Sequence, residues 1–364
     1  MIHVIKVRNF KSLASVDVAF ERFTVFVGAN GSGKSSLLAA IECFAEALTL
    51  EPSGVFRNER DPETLYTREG DGELEIALEV GGRWLSLFAC PSEAVPRQPN
   101  GQDQIHWRLR HDPVDMRVHF ARELSPISFL RLDPRLLAKA SYSADNIPTM
   151  AETGEGLASV LADAALSRPE VFADIKAKLR ELLPTVRDIR LQRERVLKQE
   201  SEVVRFGEEG ITRHFERPYQ GYALVFDFEH AQGIPAHAVS EGTLLLLGML
   251  TALLGQQPPK VILIDDLERA LHPLAQKRMV GVINQILEKF PDLQVIATTH
   301  SSHLLNYLEH KQIRLMALDD QGHSHCGELK DHPKYEKWKE EFYPGEMWSA
   351  FGDRWLVEPE VASK

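Results

Sequence analysis

The run Gly28-Ala29-Asn30-Gly31-Ser32-Gly33-Lys34-Ser35 has the spacing of a phosphate-binding loop, G-x-x-x-x-G-K-[ST]. Glycines let such a loop curl until its backbone N–H groups face phosphate oxygens. A helix starting at the loop's end adds positive partial charge. In this chemistry Lys34 reaches the β- and γ-phosphates of a nucleotide, and the Ser35 hydroxyl ligates Mg²⁺. Asn30, Gly31, Ser32, Gly33 and Ser36 complete the cradle. Much later, four apolar residues, Val261 to Ile264, end in Asp265 and Asp266. An all-apolar strand is buried on both faces, as in a parallel sheet, and such sheets place ligands at the strands' C-terminal ends. There Asp265 would hold Mg²⁺, mostly through water, and Asp266 would polarise a water attacking the γ-phosphate. A third apolar strand, Val295 to Ala297, runs into Thr298-Thr299-His300. His300 could bond the γ-phosphate or the water, or be structural. Ser240-Glu241-Gly242 opens an apolar helix and offers backbone donors to an anion, although an ordinary helix cap reads the same way.

The elements that must position these residues follow from periodicity. Strands are expected at Ile2–Val7, Val16–Phe20 and Thr24–Val27, with a helix at Leu37–Leu48. Two or three strands between Glu73 and Leu109 are joined too closely for crossover helices, so they should be antiparallel. Ile127–Leu132 reads as a strand, and residues 155–183 as helix broken near Pro169. Val186–Val196 and Tyr222–Phe228 return to strand. From Ser240 the pattern is α/β: helices at 241–254, 273–290 and 301–309 alternate with strands at Val261–Ile264, Gln294–Ala297 and Ile313–Leu318. The expected organisation is an N-terminal half of an α/β domain at 1–150, an inserted arm at 151–236, and its C-terminal half at 237–364.

Composition narrows the classes. Lys plus Arg number 42 and Asp plus Glu 53, a net charge of −11, so any nucleic-acid contact needs a local basic patch. Arg187, Arg190, Arg193, Arg195 and Lys198 are the one basic stretch, but Asp188, Glu194, Glu200 and Glu202 dilute it to a solvated face. The longest apolar run, Leu244 to Leu254, is too short to cross a bilayer, and the N-terminus lacks the apolar core of a signal peptide. Cys43, Cys90 and Cys326 are scattered, which implies no disulfide framework and fits a cytoplasmic protein. His323-Ser324-His325-Cys326 follows the turn sequence Asp319-Asp320-Gln321-Gly322 and reads as a surface turn rather than a metal cluster. Trp338, Trp348 and Trp355 could cap the core or present a partner site.

Taken in order, the motifs resemble the ABC-type ATPase heads of the RecF/SMC class, and more closely the AAA-family ATPases related to overcoming-lysogenization-defect proteins. The opening VRNFKSL is similar to that class's first hairpin, which implies that Asn9, Phe10, Lys11 and Ser12 lie beside the nucleotide. Val239 to Thr243 resembles the signature motif, Ile264 to Pro273 (IDDLERALHP) the Walker B and D-loop run, and TTHS ending at Ser301 the switch-histidine strand. LRLDPRLLAKASY, GEGLASVL and PGEMWSAFGDRWLVEP are similar as well, so the likeness covers nearly the whole chain. It implies an α/β P-loop NTPase fold: a mixed sheet, an antiparallel β subdomain and a helical/β insertion. It also implies ATP and Mg²⁺ as ligands, ATP hydrolysis, which the shorter reach of Asp266 should make slow, and a homodimer in which Ser240, Glu241 and Gly242 touch the nucleotide of the opposite subunit. Asp266 stands where the class has the catalytic glutamate, Leu267 where it has proline, and no glutamine takes a Q-loop position. Glu268 is the alternative base. The Toprim nuclease of the overcoming-lysogenization-defect enzymes is expected to be missing, since 64 residues without a nuclease motif follow His300. The resulting expectation is an ATP switch controlling a separate effector, a nuclease encoded nearby, in antiphage defence. A RecF-like ATPase that clamps DNA itself is the alternative. A transporter subunit does not fit, because 206 residues separate Lys34 from Ser240.

Overall fold

The computed structural model describes residues 1–49, 65–67, 73–91, 105–110, 115–206, 209–255 and 258–358. Of the proline-rich loop that the sequence predicts at Pro91, Pro96 and Pro99, Pro91 instead ends a strand and the other two lie outside these residues. The elements in chain order begin with β1 (Ile2–Phe10), β2 (Leu13–Ala19), β3 (Phe23–Gly28) and α1 (Lys34–Thr49). Next come β4 (Leu74–Val80), β5 (Arg83–Pro91), β6 (Ile105–Arg110), α2 (Asp115–Leu124) and β7 (Ile127–Leu130). Then follow α3 (Pro134–Leu137), α4 (Leu157–Ser167), α5 (Pro169–Leu182), β8 (Val186–Phe206), β9 (Glu209–Phe228), β10 (Ile234–Pro235) and α6 (Glu241–Leu254). The chain continues through β11 (Val261–Ile264), α7 (Pro273–Lys289), β12 (Gln294–Thr299), α8 (Ser302–Leu305), β13 (Ile313–Leu318), β14 (Ser324–Glu328), α9 (Tyr335–Trp338) and α10 (Pro344–Phe351).

Two compact units result: residues 1–129 with 259–364, and residues 130–258. Compactness thus groups residues 130–150 and the helix after Ser240 with the insertion, where the sequence reading assigned them to the two halves of the head.

The first unit holds two sheets. One has the order β2-β1-β4-β5-β6 and pairs antiparallel throughout. The other is mixed, in the order β14-β13-β3-β12-β11-β7. Its centre, β13-β3-β12-β11, is parallel, and β14 pairs antiparallel with β13. Every residue of β3, β11 and β12 is buried, as unbroken apolar runs require. Leu37, Leu38, Ile41 and Phe44 of α1 join the core that β1, β4 and β5 build with Ile5, Ile76 and Leu87. Helix α1 begins at Lys34, three residues before the expected start, because the loop feeds the helix without a spacer. The helix expected at 301–309 is only the turn α8.

The second unit packs α4, α5 and α6 with a long two-stranded ribbon. Eleven of fourteen α6 residues are buried, in keeping with a helix apolar all round. Gly248 allows the close approach: a Cβ there would lie 2.7 Å from Leu137 Cδ2. Strands β8 and β9 run 21 and 20 residues and pair from Val186↔Phe228 to Phe206↔Glu209. Among the described residues, burial is confined to their base, with Val186, Ile189, Leu224 and Phe226. The sequence reading found the base and missed the outer half.

Candidate nucleotide site

Strands β3, β12 and β11 are neighbours and parallel, so their C-terminal ends lie side by side. The loop from Gly28 leaves β3, Thr299 ends β12, and Asp265 follows β11. Topology alone gathers three motifs that lie up to 272 residues apart (300 − 28).

The loop has the backbone its spacing demands. Gly31 and Gly33 take φ of +80° and +97°, the left-handed region that favours glycine. Lys34 is buried, and its Nζ donates to Gly28 O at 2.9 Å and Ala29 O at 2.8 Å. Burial lowers its pKa, against the charges of Asp266, Asp265, Glu268 and Asp353. Ser35 Oγ donates to both Asp265 oxygens, at 3.1 and 3.0 Å. This pair of hard oxygen donors fits Mg²⁺.

The carboxylates after β11 have distinct surroundings. Thr298 Oγ1 donates to Asp265 Oδ1 at 2.6 Å and accepts from Asp266 N at 2.9 Å. Leu267 N donates to Thr298 O at 2.9 Å, a bond the class's proline could not make. Glu268 has both oxygens occupied: Oε2 accepts from Thr299 Oγ1 at 2.6 Å and Oε1 from His300 N at 2.7 Å. Asp266 takes φ of +55°, a conformation that aspartate tolerates better than most side chains. Its Oδ1 lies 3.6 Å from His300 Nε2. Burial raises the Asp266 pKa, and the charges of Asp265 and Glu268 raise it further. The site therefore holds two fastened carboxylates, at 265 and 268, and at 266 a third that lies against His300 with enhanced basicity.

The other expected residues are placed as follows. Asn9 near the end of β1 and Lys11 in the β1–β2 turn take φ of +55° and +52°. Asn9 Nδ2 donates to Glu73 O at 3.2 Å, so it braces β4's approach. Asn30 and Gly31 are exposed at the loop's crown, Ser32 is buried and Ser36 is half-buried on α1. Ser240, Glu241 and Gly242 belong to the second unit. There Ser240 makes no side-chain cap to the backbone, and its hydroxyl pairs with Thr243 Oγ1 at 2.8 Å. Trp355 is buried, and Trp338 stacks on Phe351 with ring centroids 3.9 Å apart. Among the described residues no group of acids, histidines and cysteines could hold a metal by itself; His323 and His325 instead face Asp319. The sequence reading missed Thr298 and Thr299 as fasteners, and their signal is two polar residues in a fully buried strand. It also missed Asp353, whose Oδ2 accepts from Ala29 N at 3.4 Å.

A family model described as "AAA domain, putative AbiEii toxin, Type IV TA system" matches residues 23–306. The chain is 22% identical over 320 residues to the DNA replication and repair protein RecF of Acinetobacter baumannii, covering 78% of this chain and 88% of that protein. A 60-residue stretch is 38% identical to the Septu protein PtuA of Bacillus thuringiensis, but it spans only 16% of this chain and 14% of PtuA. Two solved structures share the fold. An SMC head bound to the C-winged helix domain of ScpA has a TM-score of 0.57 at 16% identity, covering 91% of this chain and 98% of that one. An Smc head with an extended coiled coil, bound to a C-terminal domain of ScpA derived from Pyrococcus furiosus, has a TM-score of 0.52 at 14% identity, covering 93% and 98%. The fold is that of a P-loop NTPase head. By the extent of the family match, the chain belongs to that AAA-domain family.

Proposed function

For a member of that AAA-domain family, we propose an ATP-dependent switch that hydrolyses ATP slowly and controls a separate protein effector. The convergence of Ser35 and Asp265, where the phosphate loop meets the end of β11, carries this reading. Lys34 and the N–H groups of Gly31 to Ser35 bind the phosphates. Ser35 and Asp265 would hold Mg²⁺, which supplies charge neutralisation on the β- and γ-phosphates when bound. Asp266 accepts the proton of the attacking water, with His300 beside it. Glu268 fixes the His300 backbone rather than acting as base, since both its oxygens are taken.

The dimer belongs to the same proposal: Ser240, Glu241 and Gly242 present helix N-terminal donors to the γ-phosphate of a second copy. Support for an effector comes from the likeness to overcoming-lysogenization-defect ATPases, from the short PtuA match, and from the ScpA domains that the two SMC heads bind. A nuclease in antiphage defence, encoded nearby, is the effector we infer. The deciding experiment is light scattering and phosphate release with ATP and a non-hydrolysable analogue. Wild type should dimerise and turn over, while Ser240→Arg should bind ATP as a monomer. Normal dimerisation or hydrolysis by that variant would overturn the reading.

The RecF match over 78% of the chain supports a second reading, in which the protein engages DNA itself. Tight, salt-sensitive DNA binding by the isolated protein would favour it. The net charge of −11 and the acid-diluted ribbon favour the first.

A further inference from the structure

The tetrapeptide His323 to Cys326 has a position that neither a metal cluster nor a plain surface turn explains. Ser324 opens β14 opposite Leu318 of β13, and β13 lies beside β3, the strand that feeds the phosphate loop. The β13–β14 hairpin therefore underlies the loop at both ends. At the entry, a Cβ on Gly28 would lie 2.1 Å from Met316 O. At the exit, a Cβ on Gly33 would lie 2.2 Å from Ser324 Oγ and 3.0 Å from Ser12 Oγ. Ser324 is 2% exposed. Its N–H donates to Ser12 O at 2.7 Å, and the two hydroxyls pair at 2.8 Å. The β1–β2 turn thus holds β14, and both serines bear on Gly33, the residue before Lys34.

We propose that Ser324, locked by Ser12, is a positioning residue for the phosphate loop. The pair fixes how closely Gly33 approaches the sheet and so aims the N–H groups around Gly33 and Lys34. A loop held in its binding shape loses less entropy when a phosphate arrives. The inference rests on the proposal that this loop binds ATP.

The test measures ATP–Mg²⁺ and ADP–Mg²⁺ affinity by calorimetry, and turnover at saturation, for Ser324→Ala, Ser12→Ala and the double variant. Removing one neutral hydrogen bond should weaken both nucleotides roughly 2- to 10-fold, with kcat at saturating ATP nearly unchanged. The double variant should lose about as much as either single one, because the hydroxyls act as a unit. Ser12→Thr, which keeps a hydroxyl, should hold affinity near wild type. Should Ser324→Ala not fold, Ser12→Ala carries the same test from a half-buried turn. Wild-type affinity in the folded variants, or a fall only in the melting temperature without nucleotide, would overturn the inference. Lys34→Ala serves as control. If it too binds ATP undiminished, the ATP reading itself fails; if it alone loses affinity, only the serine pair's role fails.

Discussion

Strands β11 and β12 and strands β8 and β9 obey opposite rules. In β11 and β12 every residue is buried, and the few polar ones sit where the strand ends or turns toward the site. In the ribbon nearly every side chain described beyond the base is exposed, and arginines alternate with acids: Arg193, Glu194 and Arg195 follow one another and Arg217 pairs with Glu200, as Arg190 pairs with Asp227 at the base. Exposed ion pairs of this kind contribute about 0–1 kcal/mol each, so backbone pairing holds the ribbon more than its side chains do. The buried strands fix carboxylates to within a hydrogen bond. The ribbon fixes little, and its many charges have wide tolerance. The same residue type should therefore matter greatly in one region and hardly at all in the other.

The largest difference is expected at Asp266. A general base contributes about 10²–10⁴-fold, and Asp266→Asn should lower turnover by that order while leaving ATP binding intact. The ribbon substitution Glu194→Gln should change nothing in either measurement. Because the Asp266 pKa is raised by burial and by its acidic neighbours, turnover should climb as pH rises through a range above that of ordinary carboxylates. The Asn variant's residual rate should lack that rise. Glu268→Gln should lose less activity but more thermal stability, since it breaks the clamp on Thr299 and His300. The reverse ranking would move the base to Glu268.

Next in size is Lys34→Ala. Hydrogen bonds to a charged group contribute about 1.5–3 kcal/mol, so ATP affinity should fall roughly 10- to 100-fold, measured by calorimetry. Arg195→Ala, which removes an exposed cation from the ribbon, should leave affinity unchanged. A fall in both would mean that ribbon charges steer the nucleotide and would erase the contrast.

The same contrast explains what could be read without coordinates. The phosphate loop, Asp265, Asp266 and the Thr-Thr-His strand end were legible because burial forces long apolar runs, and any polar residue at their ends stands out. The loop's glycines were legible because Gly31 and Gly33 need positive φ. The outer ribbon was not, because a strand solvated on both faces carries no alternation of polar and apolar residues. Its Val196↔Tyr219 and Lys198↔Arg217 pairs give no periodic signal. Thr298, Thr299 and Ser324 were missed for a different reason. Their partners lie 32, 31 and 312 residues away, and spacing along one element cannot announce a contact between elements. The short α8 was over-read because apolar spacing continues past the residues that hydrogen-bond as helix.

One place in the second unit should be as intolerant as the site. Ser141 and Tyr222 exchange backbone hydrogen bonds at 2.9 and 3.0 Å, and Gly221 between them and Val196 has no room: a Cβ would lie 2.5 Å from Ser141 O. Gly221→Ala should destabilise this unit by about 1–3 kcal/mol, the usual cost of overpacking. Thermal melting would show the loss, and ATP affinity of the folded protein should be unchanged. An unchanged melting temperature would mean that the ribbon base yields as freely as its outer half.

The smallest effect is expected at Asp353, which belongs to the head and is only half-buried. Its Oδ2 lies 3.4 Å from Ala29 N, longer than the usual 2.7–3.2 Å of an N–H···O bond, so the contact contributes little order to the loop. Its charge acts nonetheless: it is among the acids that oppose the lowering of the Lys34 pKa, and it would oppose incoming phosphates in the same way. Asp353→Asn should therefore tighten ATP binding, by no more than about 5-fold at low salt, as expected for one solvent-screened charge. The gain should shrink as ionic strength rises, because the Debye length falls to about 8 Å at physiological salt. Calorimetry at two salt concentrations separates the alternatives. A gain that vanishes with salt marks an electrostatic brake on the loop. Weaker binding in the Asn variant at both concentrations would mean that the carboxylate organises Ala29 after all, and that the head, unlike the ribbon, uses even its half-buried surface acids to hold shape.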